Sequence, residues 1–109
     1  MALSSIFFST TLLYAGETFP SSQTWEDVNN YTKFFIQIQT DQPCKITVYQ
    51  CTTSGVPLLD KSITQVFNYQ NVGQVLIFEG NIVCNKISFV LQNVSNVNET
   101  DLFFSVLYK

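Results

Sequence analysis

The sequence predicts an all-β chain folded as a two-layer antiparallel β-sandwich of about eight strands. Three observations carry this. Apolar residues alternate with polar ones at a period of two through most of the chain, which is the strand signature. β-branched and aromatic residues crowd these runs, with ten Phe and five Tyr in 109 residues. Short clusters of Asn, Gly, Pro, Ser and Thr separate the runs, and no helical periodicity competes over a window of about eleven residues.

The amino end, MALSSIFFSTTLLYAG, has the apolar stretch of a signal peptide. No Lys or Arg precedes Lys33, however, and Ser and Thr interrupt the apolar core. Ile6, Phe8, Thr10, Leu12 and Tyr14 alternate, so the segment is read as a mature strand. Gly16 to Ser22 is a turn region around Phe19-Pro20, because Pro20 fixes its own φ and biases Phe19 toward an extended shape. Trp25 to Val28 makes a short edge piece before the Asn29-Asn30 turn, and Trp25 is expected at the rim of the core.

Tyr31 to Thr40 is a strong strand with Phe34, Ile36 and Ile38 inward and Gln37 and Gln39 outward. Asp41-Gln42-Pro43 turns the chain into a strand from Cys44 to Cys51, with Ile46 and Val48 inward and Lys45, Thr47 and Tyr49 outward. The two strands are expected side by side at the centre of one sheet. After a loop from Thr52 to Pro57, a less regular strand spans Leu59 to Tyr69. Another follows at Gln74–Glu79, where Leu76 and Phe78 oppose Val75 and Ile77.

The carboxyl-terminal third holds the clearest pattern. Ile87, Phe89 and Leu91 share a face of a strand that reaches from Ile82 to Asn93. Leu102, Phe104, Val106 and Tyr108 share a face of the last strand, and a polar link permits an antiparallel return between the two. Phe103 and Leu107 occupy the opposite face of that last strand, and both faces cannot enter one two-layer core. They are the candidate interface, covered either by Ile6 and Phe8 or by an adjacent copy of the chain. Residues 1–109 form one domain, of jelly-roll or immunoglobulin-like topology, with the early strand favouring a jelly roll.

Composition narrows function by exclusion. Only 12% of residues are charged, and a net charge of −3 with five basic residues offers no footprint for nucleic acid or anionic membrane. No apolar run reaches the length of about 18 residues that a membrane helix needs. The chain has no His, so neither a Ser–His–acid triad nor a Cys–His pair can be assembled, and no phosphate-binding glycine motif occurs. Its eight acids are scattered over turns and strand ends, which does not suit a paired-carboxylate site. No enzyme activity, cofactor or metal is expected. Cys44, Cys51 and Cys84 read as free thiols, although one disulfide is an alternative. Asn30, Asn93 and Asn98 each begin an N-glycosylation acceptor triplet, a short pattern expected by chance in an Asn-rich chain.

The order LLYAGETF, TWEDVNNYTKFFIQIQTDQPCKITVYQCTTSG and KISFVLQNVSNVNETDLFFSVLY resembles small β-sandwich proteins in the virions of tailed phages and large double-stranded DNA viruses. Gly16, Phe19, Trp25 to Val28, Tyr31, Asp41 and Asn93 carry the resemblance, which spans roughly residues 12 to 109. The chain departs from that pattern at Thr53-Ser54-Gly55, in place of an Asp-Gly hairpin, and lacks an Arg near Phe89. The resemblance implies a structural protein of the virion: a capsid vertex, cement or fibre component that forms a homo-oligomer and contacts other capsid proteins. A second reading is a module for a host-surface glycan or receptor. It would use exposed aromatics, with Trp25, Tyr31 and Tyr49 as candidates beside Tyr14, Gln37, Gln39, Asn29 and Asn30.

Overall fold

The computed structural model describes residues 13–19, 24–98 and 101–109. The amino-terminal strand expected before Leu13 lies outside these residues. The described chain is a sandwich of two antiparallel sheets, as the periodicity predicts. Its strands are β1 (Thr18–Phe19), β2 (Glu26–Asp27), β3 (Lys33–Thr40), β4 (Cys44–Cys51), β5 (Ile63–Tyr69), β6 (Leu76–Asn81), β7 (Lys86–Asn93) and β8 (Leu102–Tyr108). One sheet runs β1-β7-β4-β5, with β2 also on β7, and the other runs β6-β3-β8. A single 3-10 turn, Leu59–Lys61, occupies the start of what reads in sequence as a longer fifth strand.

Two expected pairings are corrected. β3 and β4 are not neighbours but lie in opposite sheets, and so do β7 and β8. A tight hairpin between β3 and β4 would need residues at positive φ, and Asp41-Gln42-Pro43 contains no glycine. Among the described residues no non-glycine residue has positive φ. Three residues in extended form cover about 10 Å, the distance between packed sheets, so this link crosses the sandwich. β7 and β8 each take a partner distant in sequence instead, β4 and β3 respectively.

The inward faces are those the alternation gives. Phe34, Ile36, Ile38, Ile46, Val48, Ile87, Phe89, Leu91, Phe104 and Val106 are all fully buried. Aromatic rings bridge the layers: Phe34 meets Phe89 edge-on at 5.5 Å, and Phe19 meets Phe104 at 6.4 Å. Gly80 pairs with Phe34, and a Cβ at position 80 would collide with the Phe34 ring. Close approach is therefore the reason for glycine at 80.

The loops are clipped onto strand ends by polar side chains. Gly73, at φ 85°, allows the turn in which its N–H donates to the Thr40 carbonyl at 2.9 Å. The buried Tyr69 hydroxyl donates to the Gln74 carbonyl at 2.6 Å and holds the same loop against β3. At the far end of the molecule the Gln50 amide donates to the Asn81 carbonyl at 2.9 Å, and its oxygen accepts from Val83 N–H at 2.8 Å.

Phe104→Ala is expected to cost about 3–5 kcal/mol, as for a fully buried ring, whereas the exposed Gln37→Ala stays within about 0.5 kcal/mol. Urea unfolding of both variants checks the assignment. Equal midpoints with unchanged m-values would show the face assignment to be wrong.

Candidate functional site

The outward face of the three-stranded sheet is built by strand alternation alone. Its rows follow from the pairing of β3 with β8 and β6: Phe35 stands between Leu107 and Glu79, and Gln37 between Ser105 and Ile77. Gln39 pairs with Phe103. Phe35, Gln37, Ile77, Ser105, Leu107 and Lys109 line a depression of about 240 Å³. Ile77 is 65% exposed and Leu107 40% exposed, while Phe35 and Phe103 are half-buried. The expected interface pair, Phe103 and Leu107, thus lies on this outer face. Its proposed cover, Ile6 and Phe8, falls outside the described residues.

Of the residues suggested for a glycan or receptor, two share a sheet: Tyr49 is on the outward side of β4 opposite Ser88 of β7, and the half-buried Trp25, next to β2, is on the other flank of β7. Tyr31 stacks on Tyr108 with ring centroids 5.6 Å apart, so that face of its ring is occupied. None of the three lines the depression. Of the supporting residues only Gln37 does, and the Gln39 amide donates to the Gly73 carbonyl at 3.1 Å.

Phe35, Ile77, Ser105 and Lys109 are additions that the sequence reading did not single out. Parity would have found Phe35, which shares its side of β3 with Gln37 and Gln39. No local signal says that β6 and β8 flank that strand.

Charge on the face is sparse, and its central row, Ile77–Gln37–Ser105, carries none. The Lys33 ammonium lies 3.8 Å from Glu79, with both side chains exposed. On the other sheet Lys86 reaches Asp27 at 3.3 Å. The Asp27 carboxyl is held below its usual range, first by the Asn29 backbone N–H and then by Lys86. Among the described residues no group of three or more His, Cys, Asp or Glu could hold a metal ion.

Asn93, which begins one of the acceptor triplets, serves inside the fold. It is fully buried, and its amide donates to the carbonyls of Leu13 at 3.2 Å and Val97 at 2.8 Å. Its side-chain oxygen accepts from Ser95 N–H at 3.0 Å. The amide is a clamp on the β7–β8 connection, whereas Asn30 and Asn98 are exposed. Cys44 and Cys51 are buried and Cys84 is half-buried, all three as free thiols. The outward parity of Cys51 therefore does not expose it.

Comparison with protein-family models, curated proteins and solved structures finds no match for this chain.

Two measurements test the site chemistry. Native alkylation should modify Cys84 first and leave Cys44 and Cys51 unmodified until the chain unfolds; equal rates at Cys44 would contradict its burial. The Tyr108 hydroxyl is buried without a hydrogen-bond partner among the described residues. Burial, and after it the negative charge of Glu26, push this phenol above its usual range. A raised folded-state value contributes stability that is complete below the unfolded phenol value of about 10 and fades as pH rises beyond it. Tyr108→Phe should match or exceed the wild-type midpoint at neutral pH and lose less stability above about pH 10. A steeper alkaline loss in the variant would reject this account.

Proposed function

We propose that the chain is a non-enzymatic structural subunit of a virus particle, a capsid vertex, cement or fibre component, working by association through the outer face of its three-stranded sheet. One observation carries the reading: Phe35, Ile77 and Leu107 stand together on a hydrogen-bonded sheet face. Such a face presents apolar side chains around a central strand, β3, whose backbone is paired on both sides, so covering it costs little backbone desolvation there. The low charge of the chain, 12%, acts in the same direction. The virion assignment rests in addition on the residues that carry the resemblance, from Gly16 and Phe19 through Trp25–Val28 to Asn93.

Mass spectrometry of purified virus particles from the source infection is the test of this role. The chain should be present in a fixed ratio to the major coat protein across independent preparations. Its absence from washed particles would overturn the virion assignment, whatever the purified chain does in solution.

A further inference from the structure

The partner of the apolar face is written in the charges at its two ends. At one end stand Lys33 and Lys109, the first on β3 and the second at the end of β8, with the Lys109 carbonyl accepting from Lys33 N–H at 3.0 Å. Glu79 offsets part of that positive charge from the neighbouring strand. At the other end Asp41 and Asp101 lie side by side. Asp41 N–H donates to the Asp101 carbonyl at 3.2 Å, and Asp101 N–H donates to the Asp41 carboxylate at 3.3 Å. This contact continues the pairing of Thr40 with Leu102, so the acids follow the outward rows of β3 and β8. The face therefore carries its lysine side chains at one end, an uncharged central row and an acidic pair at the other end.

We infer that this face binds a second copy of the same chain, face to face and with strands antiparallel, about a twofold axis crossing the strands. The inference rests on the association reading above and adds its partner and orientation. A twofold axis along the strands would set Lys over Lys and Asp over Asp. An axis across the strands sets the lysine end of each copy over the acidic end of the other and keeps β3 over β3. The row Ile77–Gln37–Ser105 then lies on the axis, where Ile77 meets its own counterpart. Leu107 falls opposite the Phe103 row of the partner. Each attractive pair occurs twice, as an isologous interface requires.

The size of the face sets the strength. Three strands about 4.8 Å apart and about eight residues long present on the order of 400 Å² of plane per copy. That is small beside the roughly 800 Å² of accessible surface per partner in a standard interface. The dimer is accordingly weak and concentration-dependent by itself, as suits a subunit also held by other neighbours in a particle. Lys33, Lys109 and Asp101 are exposed and Asp41 is half-buried, so raising the salt concentration weakens it.

The experiment is sedimentation equilibrium of the whole chain from micromolar to millimolar concentration, with circular dichroism as a control for folding. Wild type should dimerise, and more weakly at 1 M salt than at 0.05 M. Lys109→Glu and Asp101→Lys each replace attraction by repulsion at two symmetric places, and each should raise the dissociation constant about tenfold or more. Combined in one chain they should restore most of the affinity. Leu107→Ser should abolish dimerisation while leaving the fold intact. Single reversals without effect, alongside a dimer that Leu107→Ser disrupts, would overturn the antiparallel arrangement while leaving association through the face standing. A monomer at all concentrations would overturn self-association itself. An unfolded Leu107→Ser variant would assign the face to the chain's own core and overturn both. In none of these cases does the result decide particle membership, which is measured separately.

Discussion

The Phe34 ring is the contact on which the arrangement of the two sheets depends. It is fully buried, meets Phe89 at 5.5 Å and Phe67 at 6.2 Å, and lies over Gly80. Through one side chain β3 is tied to β7 and β5 across the core and to β6 within its own sheet. Edge-on ring pairs at this spacing contribute about 0.5–1.5 kcal/mol beyond the area they bury. The larger effect is geometric, because a ring this deep admits few rotamers and so fixes how the layers sit. Gly80 follows from it: the space beside β6 that a Cβ would use is already filled.

With the core fixed, the outward faces diverge. On the five-stranded sheet the central outward rows hold Lys45, Thr47, Tyr49, Ser88 and Gln92, which are polar or carry a polar tip, with the smaller apolar Val90 and Val66 on either side of Thr47. On the three-stranded sheet the corresponding rows hold Phe35, Ile77 and Leu107 between amides and a serine. Both sheets obey the same alternation, so the difference is a choice of residues and not a consequence of the fold. The larger apolar side chains of the three-stranded side, Phe35, Ile77 and Leu107, are the physical basis for proposing association there.

Much of this was legible in the sequence because strand parity is local. The bounds Cys44–Cys51 of β4 were readable to the residue, as were the inward faces of β3, β7 and β8. Pairing was not legible, since hydrogen-bond partners are chosen over long sequence separations. β3 takes β8 and β6 from far along the chain, while the adjacent β4 goes to the other sheet. The absence of glycine from Asp41-Gln42-Pro43 was a local warning against a tight hairpin, and it concerned backbone φ, not hydrophobicity. The candidate site inherits this division. Leu107 and Phe103 were visible as the spare face of one strand, but the depression needs Phe35 and Ile77 from two others. The position of Tyr31 was hidden for the same reason: nothing local said that it would stack on Tyr108 of β8, away from the sheet that holds Tyr49.

Flat apolar faces are poor at specifying orientation, because dispersion and hydrophobic burial change little as one sheet slides or rotates over another. A subunit that had only Phe35, Ile77 and Leu107 would associate promiscuously. In a chain where 12% of residues are charged, placing lysines at one end of the face and aspartates at the other adds direction without bringing charge into the central row. Exposed end charges contribute modest affinity, yet the wrong orientation brings like charges together, and that repulsion removes it. The low charge elsewhere then has a consequence: few competing charges blur the signal of the ends. In the proposed dimer, burial supplies the attraction on this face, and the sparse charges decide which way round it is used.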